Sequence, residues 1–109
     1  MLEIMDPHIA AQTMTDLARV HARRGSLRDA ITCYERALAA RREVGDRHGE
    51  ARTLADLAAV YVRVERVEDA IDCYESSLAI VRERGDRHGE AQTLRDLKVA
   101  MRDFDGPLR

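Results

Sequence analysis

The chain has 109 residues, enough for one domain at most. Its formal net charge is −2, which argues against nucleic acid or an anionic membrane surface as the main partner. With 35% charged and 4% aromatic residues, the composition suits helices with a narrow apolar stripe and a wide solvated surface.

Met1 to Met5 reads as a short leader. It lacks the basic start and apolar core of a signal peptide, and no later run approaches the ~20 apolar residues of a membrane span. A cytoplasmic location is therefore expected. Asp6-Pro7 reads as a helix N-cap followed by proline at the first helical position, where no backbone N–H is needed. Ile9, Met14, Leu17, Ala18, Val20 and His21 then recur at helical spacing, to about Arg24. Gly25 suits a left-handed cap, and Ser26 suits the next N-cap. A second helix carries Leu27, Ala30, Ile31, Tyr34, Ala37 and Leu38 and ends at Gly45.

The next residues, Asp46-Arg47-His48-Gly49-Glu50, recur at 86–90, and the preceding Gly45 recurs as Gly85. The period is 40 residues, and laying 6–45 on 46–85 leaves about half the positions identical. A fixed period in the range of about 20–50 residues marks a repeat architecture. Each Gly-Asp pair ends one helix and starts another, and so short a connection forces neighbouring helices antiparallel. A third helix carries Ala51, Leu54, Leu57, Ala58, Val60 and Tyr61, and a fourth carries Val67, Ala70, Ile71, Tyr74 and Leu78. The turn between them, Val64-Glu65-Arg66, replaces Gly25-Ser26 and is expected to be weaker. A fifth helix from Asp86 carries Ala91, Leu94, Leu97, Met101 and Phe104, and Asp105-Gly106-Pro107 stops it. The expected domain covers 6–104, as copies 6–45 and 46–85 plus a closing half-copy, with flexible ends at 1–5 and 105–109.

The pattern resembles the tetratricopeptide repeat family. Its helix pairs combine large and small residues as Leu54, Leu57, Ala58, Tyr61, Ala70, Tyr74 and Ser77 do here. The first copy gives Met14, Leu17, Ala18, His21, Ala30, Tyr34 and Ala37. Small residues let two helices approach, and large ones fill the gap to the next pair. The resemblance implies an all-α fold, an α-solenoid of antiparallel helix pairs in a right-handed superhelix with five helices. The long period is similar to the branch found in kinesin light chain, polarity scaffolds and bacterial STAND-type regulators with NB-ARC-like domains. One departure is Lys98, which occupies the small position of the last helix; it either solvates an end of the array or marks a truncated copy whose last helix docks on something else.

In this family the first helix of each pair lines a concave groove that holds a peptide or partner helix. Carried onto this chain, the groove positions include Asp16, Arg19, Arg52, Asp56, Gln92, Arg95, Asp96 and Arg102. Asp16, Asp56 and Asp96 form a ladder where long-repeat relatives usually place Asn. Asp keeps the acceptor and loses the amide donor, which favours peptide N–H groups or basic side chains. The competing reading is that Asp16–Arg19 and Arg52–Asp56 are surface ion pairs worth ~0–1 kcal/mol. Relatives that bind the acidic tails of heat-shock chaperones place Lys, Asn, Asn, Lys and Arg where this chain has Thr15, Arg19, Asp56, Gln92 and Asp96. None of these matches, so that partner is not expected.

His8, His48 and His88 repeat with their motif, too far apart to share a metal ion. Cys33 and Cys73 are copies of one position and are expected to stay reduced, as small packing groups. No nucleophile–base pair, phosphate loop or HExxH pattern occurs, so neither catalysis nor a cofactor is expected. The expected role is a regulatory or scaffolding module that binds a protein or peptide. The alternative is self-association as a homodimer through apolar surface on the first helix (Ile9, Met14, Val20) or the last (Val99, Met101, Phe104). Both readings fit a whole protein or a piece of a larger regulator.

Overall fold

The computed structural model describes residues 6–105. Five helices follow one another: α1 (Pro7–Arg23), α2 (Leu27–Glu43), α3 (Arg47–Arg63), α4 (Val67–Glu83) and α5 (Arg87–Asp105). No strand occurs among the described residues, and no described helix is long and apolar enough to cross a membrane. The expected flexible ends at 1–5 and 106–109 lie outside the described residues, whereas Asp105 is the last residue of α5.

The first four helices are all 17 residues long, and the four connections have three residues each. That arithmetic is the origin of the 40-residue period. Each connection is closed by the same pair of backbone bonds. At the first, Ser26 N–H donates to His21 C=O at 2.8 Å and Gly25 N–H to Ala22 C=O at 3.1 Å. The pattern requires a left-handed residue between helix and cap. Gly25, Gly45 and Gly85 supply it with φ of 82°, 71° and 70°.

The N-caps differ. Asp6 accepts from His8 N–H, Asp46 from Gly49 N–H and Asp86 from Gly89 N–H, at 2.8, 2.9 and 2.9 Å. Ser26 does not cap with its side chain, contrary to expectation. Its backbone angles (−82°, 69°) are close to those of Asp46 (−83°, 83°).

Packing follows the repeat. Ala18, Ala30, Ala58 and Ala70 are fully buried, and these small side chains let paired helices touch. Buried Ser77 donates from Oγ to Ala51 C=O at 2.9 Å, fixing α4 on α3. Leu38, Leu54, Leu57 and Tyr61 form the core that joins one pair to the next. A polar clamp sits beside it. Glu50 is buried and accepts from Arg42 Nε at 2.8 Å and Arg47 at 3.0 Å, so its charge is compensated. Arg82 and Glu90 repeat the first of these bonds at 2.8 Å.

The ends depart from the repeat. Leu17 and Met101, expected in the apolar stripes, are exposed, and so is Ala91. Their counterparts Leu57, Tyr61 and Ala51 are covered by helices that α1 and α5 lack on those sides. Lys98 is exposed, as an end position requires. The side chain of Phe104 lies outside the described residues.

The turn between α3 and α4 is the strained one. Glu65 adopts φ of 63°, the conformation that glycine holds in the other three connections. A side chain there costs up to about 1 kcal/mol. Glu65→Gly is expected to raise the melting temperature by about 2–6 °C, read by circular dichroism; an unchanged or lower value would show that the turn is relaxed.

Candidate functional site

Every second helix contributes to one face of the solenoid, so α1, α3 and α5 line it together. Several cavities open there, and Asp56 lines two of them. The smaller, of about 120 Å³, is lined by Gln12, Arg19, Arg41, Arg52 and Asp56, with Thr15 and Thr53. The larger, of about 550 Å³, is lined by Arg52, Asp56, Tyr74, His88, Gln92 and Asp96, among small residues. Arg52 and Asp56 belong to both, so α3 is the wall between them.

The three-aspartate ladder is split by this geometry. Asp56 and Asp96 share the larger cavity, and Asp16 lines neither. Asp16 is exposed and accepts from Gln12 Nε2 at 2.9 Å, one turn earlier on its own helix. The Asp16–Arg19 and Arg52–Asp56 pairs of the competing reading do not form. Arg19 instead reaches across to Asp56 at 3.8 Å. Arg95 and Arg102 are exposed and line neither cavity. Of the eight residues singled out by sequence, Arg19, Arg52, Asp56, Gln92 and Asp96 are brought together.

Among the lining residues that escaped the sequence reading are Tyr74, His88 and Arg41. Tyr74 counted as a packing residue and His88 as part of the capping motif. Arg41 comes from the last turn of α2 and has no arginine counterpart in the next copy, where Val81 stands. The period that revealed the fold therefore hides it. Arg41 also holds Asp46 at 2.9 Å, and its buried Nε has no hydrogen-bond partner.

Charge grades along this face. Three guanidiniums, Arg19, Arg41 and Arg52, surround one carboxylate in the smaller cavity. The larger cavity sets Asp56 and Asp96 around Tyr74. Burial pushes the Tyr74 phenol up to about 12, and the charges of Asp96 and Asp56 add to this. Burial also raises Tyr34, again with help from Asp56. Both phenols therefore stay neutral donors at physiological pH. Asp56 lies near both tyrosines. Its own pKa is raised by burial, although Arg19, Arg52 and Arg41 pull it down. A carboxylate made harder to ionise by its place in the fold costs stability there.

Beyond this face, the Cys73 thiol is pushed up to about 11 by burial and by Asp69 and Asp72, which leaves little thiolate at neutral pH. No group of three or more His, Cys, Asp or Glu among the described residues is arranged to hold a metal ion.

The sign of the Asp56 effect is testable. Its folded pKa lies above the ordinary carboxylate value, so ionisation above that folded pKa weakens the fold, and protonation below the ordinary value removes the cost. Asp56→Asn is expected to stabilise the protein at pH 7, even though it gives up the pair with Arg19. The side chain is 38% exposed, so solvent screening holds the gain to a few tenths of a kcal/mol, or about 1–3 °C in melting temperature. Thermal melts from pH 7 to pH 3 check it, because the gain should fade as the wild-type acid protonates. A variant that is less stable at pH 7 would mean that the ion pair outweighs the burial.

No curated protein matches the chain. The family model described as tetratricopeptide repeat matches residues 9–83, well over half of the sequence. Such repeats generally mediate protein–protein interaction and are typically non-catalytic. The matched span covers both helix pairs, with the alanine contacts and left-handed connections that join them, and the chain belongs to the tetratricopeptide repeat family.

Proposed function

We propose that the face lined by α1, α3 and α5 binds a peptide segment, and that the protein acts as a non-enzymatic scaffolding or regulatory module in the cytoplasm. The observation that carries this reading is Asp56. It is an acid raised by burial, near two tyrosines and at the wall shared by two cavities. A cationic group seated over it would complete the compensation that Arg19, Arg41 and Arg52 supply only in part. The pair with Arg19 at 3.8 Å is too long for a hydrogen bond, so the carboxylate keeps its acceptor capacity for a ligand.

The cavities suit a ligand of graded charge. A lysine or arginine side chain fits the larger cavity, with Asp56 and Asp96 as acceptors and the Tyr74 ring as a wall. An acidic group one or two residues away meets Arg19 and Arg52. Asp16, Arg95 and Arg102 then belong to the rim rather than the floor. The near-equal 17-residue helices and the 40-residue period support placement in the long-repeat branch with kinesin light chain and the bacterial STAND-type regulators.

Selection from a displayed random-peptide library supplies the probe. Enriched peptides should carry a basic residue with an acidic residue nearby. Asp56→Ala combined with Asp96→Ala should weaken the best of them at least about tenfold, well beyond a surface pair of ~1 kcal/mol. Asp16→Ala should change binding less than about twofold. Equal binding by the double variant, measured by calorimetry, would remove the groove assignment.

A further inference from the structure

One face of α1 stands apart from its counterparts. The stripe Ile9, Thr13, Leu17 and Val20 corresponds position by position to Gly49, Thr53, Leu57 and Val60 on α3, and to Gly89, Thr93, Leu97 and Ala100 on α5. On α3 and α5 this stripe is covered by the preceding helix, α2 or α4. Leu57 and Leu97 are 3% and 7% exposed, whereas Leu17 is 41% and Ile9 59% exposed.

A further helix of the α2 type does not fit there. The two internal junctions carry glycine near the start of the covered helix. A Cβ on Gly49 or Gly89 would first meet the carboxylate of its own cap, Asp46 or Asp86, and would also crowd the preceding helix, at 2.6 Å from Arg41 Cδ of α2 or 3.1 Å from Val81 Cγ1 of α4. At that place α1 carries the bulk of Ile9. The junctions also need a glutamate to receive the arginine of the preceding helix, as Glu50 receives Arg42 and Glu90 receives Arg82. At that place α1 carries Ala10. Both devices of the repeat junction are missing, and apolar surface is left.

The opposite end of the array is not equivalent. There α5 presents Arg95, Lys98 and Arg102 at positions where α3 has Ala55, Ala58 and Val62 against α4. Three cations solvate that end, although Val99 and Met101 are exposed there too, at 47% and 44%.

We propose that the exposed face of α1 is an isologous dimer interface, covered by α1 of a second copy running antiparallel. The stripe is symmetric about its middle. With Thr13 opposite Leu17, Ile9 falls opposite Val20 and His21, and Asp6 falls opposite Arg23 and Arg24. The positive end of each helix dipole then meets the negative end of its partner. A parallel arrangement sets Asp6 against Asp6 and arginine against arginine. One helix face per copy is small, so the dissociation constant lies on the order of 10–100 µM. This pairing leaves the α3/α5 cavity open and is independent of the peptide-binding reading.

Sedimentation equilibrium from about 1 µM to 1 mM tests it. The average mass should rise from 12.3 kDa and level off at twice that value. A monomer throughout, or growth beyond a dimer, overturns the proposal. Leu17→Glu and Ile9→Lys change exposed residues, and circular dichroism checks that each variant stays folded; both should weaken association at least about tenfold. Val99→Glu on α5 should leave it unchanged, and the reverse result would place the interface at the wrong end. Arg23→Glu with Arg24→Glu sets like charges against Asp6 only in the antiparallel arrangement. It should weaken the dimer severalfold, and no change would refute that orientation.

Discussion

The architecture depends on a backbone constraint that recurs every 20 residues. One residue must turn left-handed, closing two carbonyls of the ending helix, before the next cap begins. Helix length follows from where those residues stand. Equal lengths in turn keep each helix alongside its neighbour over its whole length, so the alanine contacts and the arginine–glutamate clamps recur in register. Were one connection longer by two residues, Glu50 and Arg42 would no longer meet. The chain tolerates one violation of this chemistry, at Glu65, and keeps the geometry there at the expense of strain.

Within that frame, two kinds of charged group behave differently. Glu50 is more buried than Asp56, yet two arginines hydrogen-bond it and its burial is compensated. Asp56 has arginines nearby and none at hydrogen-bonding distance; the nearest approach is 3.8 Å. The first arrangement is structural, because its partners are supplied by the fold. The second leaves a carboxylate near neutral phenols at the edge of a cavity, which is how a site awaiting a partner differs from a finished clamp.

Much of the fold was legible because repeated letters and helical spacing encode local rules. Gly25, Gly45 and Gly85 marked the connections, and Asp6, Asp46 and Asp86 the caps. The misses came where a residue's role depends on what is beside it in space. Ser26 looked like a cap, but its side chain makes no hydrogen bond to the helix it precedes. Leu17 matched Leu57 in sequence, but only one of them has a neighbouring helix. The aspartate ladder was read from periodicity alone, so it could not separate Asp16, occupied by Gln12, from Asp56 and Asp96, which share a cavity. Arg41 and Tyr74 reach that face from α2 and α4, and no pattern along the lining helices points to them.

The equal spacing of the helices has a consequence for any bound chain. A surface built from identical units offers the same contacts one unit further on, so a ligand could slip by a whole repeat with little loss. Here the units differ where it matters. Arg19 is succeeded by Ala59 and Val99, and Thr15 by Ala55 and Arg95. Among the residues that line the two cavities, cations gather toward α1 and acids toward α5, while Arg95 and Arg102 of α5 stand outside them. This inequality gives the surface a direction, and a peptide of opposite grading has one favourable position and one favourable orientation on it.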